Sequence, residues 1–223
     1  MELKVFDLGL IDFKKAWDFQ KEIFGQVKSC IIDSALILCQ HYPVITLGRN
    51  SDKRNILAST QELKNRGIKV FELERGGDVT YHGPGQLTVY PIINLNYLKK
   101  DIHWFLRELE ISIISTLSEF SVIGKSRQGL TGVWVYERKI ASIGISIKQW
   151  ITFHGFTINV RKKDLSNFSL IWPCGMSIEM ISMEDVAENS TEIHDVKQVA
   201  ISKLRDTLSA KAKSVPFIKE ALR

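Results

Sequence analysis

Apolar positions recur along this chain with two different periods, and each period predicts its own elements. Alternation from Leu3 to Leu8 predicts a first strand. Asp12 then predicts a helix cap, because Phe13, Ala16, Trp17, Ile23 and Phe24 follow at roughly helical spacing. Short apolar runs at Ala35 to Leu38 and Val44 to Leu47 read as buried strands, parted by the turn-prone His41-Tyr42-Pro43. Thr60 to Arg66 predicts a short helix stopped by Gly67, and Ile68 to Leu73 alternates like a strand. Past a glycine-rich segment, Gln86 to Leu95 predicts another strand, and Asp101 opens a long amphipathic helix ending near Phe120. Four β-rich stretches follow: Gly132 to Tyr136, Ile140 to Ile147, Trp150 to Phe153, and Phe156 to Val160. Glu137-Arg138-Lys139 reads as the hairpin turn between the first two, and a last helix runs from Ile193 to Lys211. Central strands with helices on both sides predict an α+β, or mixed α/β, fold, with residues 1–223 as a single domain.

Composition narrows the function classes more than the fold. With 44% hydrophobic and 25% charged residues over 223 positions, the chain is an ordinary globular protein that needs no staple to build a core. Cys30, Cys39 and Cys174 are odd in number and lack paired spacing, which argues against a disulfide framework or a zinc site. Cys30 and Cys39 sit among Ile31, Ile32, Leu36 and Leu38 and read as buried small hydrophobes. The start, Met1-Glu2-Leu3-Lys4-Val5, lacks the pattern of a signal peptide, and no apolar run is of bilayer-spanning length, so the expected location is cytoplasmic. The net charge of +5 is dispersed, and its densest run, Arg161-Lys162-Lys163, meets Asp164 directly. Nucleic acid, an acidic carrier protein or a plain solvated basic surface all fit such a charge.

Two segments carry candidate chemistry. Arg75-Gly76-Gly77-Asp78-Val79-Thr80-Tyr81-His82-Gly83-Pro84-Gly85-Gln86 is too rich in glycine to be a regular strand or helix. As a loop it offers a cation, a phenol and an imidazole beside open backbone; a tight structural turn is the plain alternative. It lacks the Gly-Lys-Ser/Thr ending of a P-loop. Cys174 lies in Trp172-Pro173-Cys174-Gly175, where the proline extends the residue before it and the glycine frees the backbone after it. A free thiol has a pKa of about 8.5, and one ammonium about 4 Å away can lower that by about two units. Lys139 is the candidate cation, although the residues around it taken alone favour a solvent-exposed turn lysine. His82 and His154 are alternative bases, or structural hydrogen-bonding groups.

Taken in order, these segments resemble the octanoyltransferases of lipoate biosynthesis, a family related in fold to biotin and lipoate protein ligases. The resemblance rests on His41-Tyr42-Pro43-Val44 with Thr46-Leu47-Gly48, and on Arg75 through Gln86. It continues through Gly132-Val133-Trp134-Val135, Lys139-Ile140-Ala141-Ser142-Ile143-Gly144, Phe153-His154-Gly155 with Asn159-Val160, and Pro173-Cys174-Gly175. Thr131 and Met176 depart from the usual pattern without touching a proposed catalytic role.

The resemblance implies a mixed β-sheet flanked by helices. It implies that Cys174 is an acyl-thioester nucleophile and Lys139 the residue that lowers its pKa. Substrate contacts then fall at Arg75, Gly76, Gly77, Asp78, Val79, Thr80, Tyr81 and His82, at Ser142, Ile143 and Gly144, and at Gly155, Phe156 and Thr157, with His154 as an auxiliary. The implied donor is octanoyl-acyl carrier protein. The implied acceptors are apo-lipoyl domains of 2-oxoacid dehydrogenases and the glycine-cleavage H protein. No cofactor, metal, nucleic acid or membrane is expected. The nearest rival is an ATP-dependent lipoate or biotin ligase; a non-catalytic basic module that binds nucleic acid is another.

Overall fold

A computed structural model of the chain describes residues 2–163, 165–173 and 178–212. Two sheets carry the architecture. The larger has seven strands, β1 (Leu3–Ile11), β2 (Ser34–His41), β6 (Gln86–Ile93), β7 (Lys125–Arg127), β8 (Leu130–Val135), β9 (Arg138–Lys148) and β10 (Ile151–Asn159). Their spatial order is β1-β2-β6-β10-β9-β8-β7; β1 and β2 run parallel and the remaining neighbours antiparallel. The smaller sheet sets β3 (Val44–Leu47) between β4 (Lys69–Glu72), parallel to it, and β5 (Val79–His82), antiparallel. The mixed α/β expectation holds.

Helices cover both faces of the large sheet, which explains why its central strands read as continuous apolar runs. α3 (Ile102–Ser118) and α4 (Ile193–Ala212) bury Phe105, Leu109, Ile113, Leu117, Val196, Ala200 and Leu204 against Leu36, Leu38, Val89, Val133 and Ile145. α1 (Phe13–Lys28) packs Ile23 and Val27 on the other face, against Ala35, Ile37, Ile92 and Phe153. α2 (Thr60–Asn65) closes the small sheet through Leu63, beside Ile45, Leu47 and Tyr81. Asp12 and Asp101 cap α1 and α3 as expected, accepting the amides of Lys14 and Trp104. No helix among the described residues is long and apolar enough to cross a membrane.

Several boundaries differ from the pattern-based expectation, each for a local reason. The glycine-rich segment does contain a strand: β5 occupies four of the five residues between its two glycine clusters and pairs with β3. The stretches at 150–153 and 156–160 form one strand, β10, which runs through His154 at φ 60. β9 and β10 are joined by Gln149 and Trp150, at φ 53 and 62, the two left-handed positions that a tight hairpin requires. Neither residue is of the usual type for that turn, so the sequence did not announce it. The β8–β9 turn is Tyr136-Glu137, with Tyr136 at φ 52; Arg138 and Lys139 already belong to β9. Cys30 is exposed, not buried, because α1 ends just before it and it sits at φ 56 beside Tyr97.

Candidate active site

Side chains of the small sheet and of the large one line a common cleft, about 610 Å³ when the open solvent at its mouth is counted. Alternation decides which side chains reach it. Ile45, Leu47 and Tyr81 turn to the small sheet's own core, so Thr46, Thr80 and His82 turn to the cleft. From the large sheet, Thr88 and Tyr90 of β6, Ser142 and Gly144 of β9, and Gly155 and Thr157 of β10 line the opposite wall.

Lys139 reaches the same wall through a bulge. Val133 pairs with Ala141, but Trp134 pairs with Lys139, so β9 carries one extra residue, Ile140. The inserted residue resets the alternation. Ile140 and Ala141 both enter the apolar core, while Lys139 joins Ser142 on the cleft side. Lys139 is buried, at 6% exposure, which overturns the exposed-turn alternative. Its backbone is held on both sides, donating to the Glu179 carbonyl and accepting from the Ile181 amide. Its Nζ lies 5.2 Å from the centroid of the Trp134 ring. Pro173 lines the cleft as well; Cys174, next in sequence, lies outside the described residues. Of the described cysteines, Cys39 is buried with its thiol pKa pushed up by burial, and neither it nor Cys30 lines the cleft.

The glycine-rich segment is locked in place more than it is open. Arg75 is buried and spends its donors on the structure: Nη2 reaches the Thr46 carbonyl at 2.7 Å, Nε reaches Thr46 Oγ1, and Nη1 reaches the Gly76 carbonyl. Gly76 donates to the Ile145 carbonyl, which ties the turn to β9. Gly48 must lack a side chain, since a Cβ there would meet the Gly77 carbonyl oxygen at 2.2 Å. Asp78 accepts from the Val79 amide and from Asn55 Nδ2 at 2.6 Å. Gly77, Asp78, Val79, Thr80 and His82 line the cleft beside Arg75; Gly76 does not. Tyr81 turns the other way, its ring against Phe168 and its hydroxyl accepting from Asn167, so its phenol is not a cleft group.

His154 stands away from Lys139. His154 pairs with Ile145, six residues beyond Lys139 on β9, which is about 16 Å along the strand after allowing for the bulge. Its left-handed backbone is fixed by Gln20, whose Oε1 accepts the His154 amide. Burial lowers its pKa, against an opposing pull from Glu74, whose carboxylate is 3.7 Å from Nε2. His82 is buried near His41 and Arg75, and both burial and those neighbours hold it neutral. Ile143 and Phe156 contribute from the core-facing side, and Phe13, Leu73, Thr46, Thr88 and Tyr90 complete the lining. Thr46 belongs to the Thr46-Leu47-Gly48 stretch of the resemblance; the other four carried no individual signal in the sequence beyond lying on predicted strands or a helix face.

Comparison with known proteins agrees with this architecture. Residues 12–205 match the sequence pattern of the lipoyl protein ligase A/B catalytic domain. An octanoyltransferase of Clostridium kluyveri is 46% identical over 190 residues, 85% of this chain and 81% of the relative. One of Cytophaga hutchinsonii is 37% identical over 220 residues, 90% of each chain. Among solved structures, a lipoate-protein ligase A bound with ATP superposes with a TM-score of 0.74, covering 96% of this chain and 92% of the other at 15% identity. At that identity the likeness is one of fold.

Proposed function

The chain belongs to the lipoyl protein ligase A/B catalytic-domain family, alongside its octanoyltransferases, and from that premise we propose that it moves an octanoyl group from octanoyl-acyl carrier protein to a lysine of a lipoyl domain. The observation that supports this most is that Pro173, the residue before Cys174, lines the same cleft as the buried Lys139. The whole chain serves as one catalytic domain.

The reaction runs in two halves. Cys174, as thiolate beside the Lys139 ammonium, attacks the thioester carbonyl of the carrier; the carbon–sulfur bond to the carrier breaks and Lys139 protonates the departing thiolate. The ε-amine of the acceptor lysine then attacks the Cys174 thioester, Lys139 takes the amine proton, and collapse returns the Cys174 thiolate with an amide formed. Each tetrahedral oxyanion needs donors, and backbone amides near Cys174 are the natural source. The acyl group arrives activated, so the chemistry calls for no nucleotide. Ser142, Gly144, Gly155 and Thr157 form the wall along which the acyl chain lies.

An assay with two donor mixtures tests the proposal against the ligase alternative. Octanoyl-acyl carrier protein without ATP is expected to octanoylate an apo-lipoyl domain. Modification that occurs only with free octanoate and ATP overturns it in favour of a ligase.

A further inference from the structure

β10 leaves β9 before it reaches Lys139. Its last pair with β9 is Ile158 with Ala141, and Asn159 goes on to pair only with Gln86 of β6. The place vacated beside Lys139 is taken by residues 179–181, which run parallel to β9. Met180 bridges Lys139, the Lys139 amide donates to the Glu179 carbonyl at 2.9 Å, and the Ile181 amide donates to the Lys139 carbonyl at 3.1 Å. On its other edge Lys139 pairs with Trp134 across the bulge at Ile140, where the ladder is interrupted. Residues 179–181 therefore supply the uninterrupted side of its pairing.

That short pairing has a loose end. A parallel ladder would satisfy the Ile181 carbonyl from the amide two residues beyond Lys139, that of Ala141. Ala141 is already paired with Ile158. The Asn159 side chain supplies the donor instead: its Nδ2 reaches the Ile181 carbonyl at 3.1 Å, with Asn159 4% exposed and Ile181 fully buried. A buried carbonyl stranded without a donor is costly, so this one amide keeps 179–181 docked. Asn159 belongs to the series of motifs in the sequence, yet it does not line the cleft, so substrate contact does not account for it.

We propose that Asn159 is a positioning residue for Lys139: its side-chain amide holds residues 179–181 against β9 and so fixes the backbone from which the lysine enters the cleft. This role rests on the acyl-transfer function above, in which Lys139 handles both proton transfers and lowers the thiol pKa of Cys174.

The test compares wild type with Asn159→Leu, which keeps the volume and loses the donor, and with the isosteric Asn159→Asp, which puts an acceptor in the donor's place. Kinetics with octanoyl-acyl carrier protein are followed across pH on folded protein, beside hydrogen exchange at the Lys139 and Ile181 amides. Asn159→Leu is expected to speed exchange at those two amides about tenfold. It is expected to lower kcat about tenfold while KM stays within about twofold. The acid limb of the kcat/KM profile is expected to move up by about one pH unit, because a displaced ammonium lowers the thiol pKa less. Asn159→Asp covers the case in which the leucine variant does not fold, and is expected to move all three readings in the same direction. A contact that served stability alone would scale the profile without moving its acid limb. Folded variants whose acid limb stays at the wild-type pH therefore overturn the positioning role and leave acyl transfer intact. A wild type that transfers no octanoyl group instead removes the function on which the role depends.

Discussion

Lys139 and Trp134 face one another across paired strands, with the ammonium 5.2 Å from the centre of the indole. The Arg127 guanidinium also lies over that ring, at 4.6 Å. A cation over a buried indole gains about 0.5–2 kcal/mol. Trp134 therefore steadies the lysine to which both proton transfers are assigned. Trp134→Phe is expected to hold kcat within about threefold, and Trp134→Leu to lower it by about tenfold. Steady-state kinetics on the two variants decide it: an unchanged kcat in Trp134→Leu would remove the ring from the account.

Gly132 leaves the space that the lysine stem fills. Its φ is 127, and a Cβ there would stand 2.6 Å from both Lys139 Cε and the Ala141 carbonyl oxygen. Relief requires moving either a strand backbone or the lysine. Gly132→Ala is expected to cost about 1–3 kcal/mol of stability and to depress kcat beyond what the loss of folded protein explains. Urea denaturation alongside kinetics on the soluble fraction separates the two effects. Normal turnover in a folded Gly132→Ala would mean that Lys139 tolerates displacement.

A buried carboxylate fixes that glycine from behind. Glu110 of α3 accepts the Gly132 amide at 3.1 Å and pairs with Arg107 through its other oxygen. Glu110→Ala strands a buried N–H, which is expected to cost about 1–3 kcal/mol, whereas Glu110→Gln keeps an acceptor and is expected to cost less. Denaturation midpoints for the pair give the comparison; equal losses would show that the ion pair, and not the amide, needs the side chain.

The fold was legible where one residue sufficed to mark it. Asp12 and Asp101 announced their helices because a cap is a local device. Lys139 and the Ser142–Gly144 stretch were picked out by the order of the motifs. Their side of the sheet was not legible, because it depends on Ile140 being one residue too many against β8, and a bulge is decided by pairing between strands. Nor was the left-handed His154, which relies on Gln20 from a distant helix. Tyr81 was misplaced for a similar reason: once Val79–His82 is a strand, alternate side chains must part.

His41 supplies a pH signature. It is fully buried, Nδ1 donates to the Ile11 carbonyl at 3.2 Å, and burial lowers its pKa from 6.5 to about 4. Below pH 6.5 the unfolded chain takes up a proton that the folded chain refuses, so stability falls as the pH drops towards 4. The gap corresponds to about 3 kcal/mol. His41→Gln is expected to lower stability at pH 7 and to flatten its decline between pH 6.5 and 4. Parallel slopes for the variant and wild type would contradict a neutral His41.

The central claim, a covalent acyl-enzyme on Cys174, is tested most directly by intact mass. Protein is incubated with octanoyl-acyl carrier protein, without acceptor, and weighed before and after hydroxylamine. The expected result is one octanoyl adduct on wild type, released by hydroxylamine and absent from Cys174→Ala. A Cys174→Ala protein that still octanoylates a lipoyl domain at the wild-type rate would contradict it.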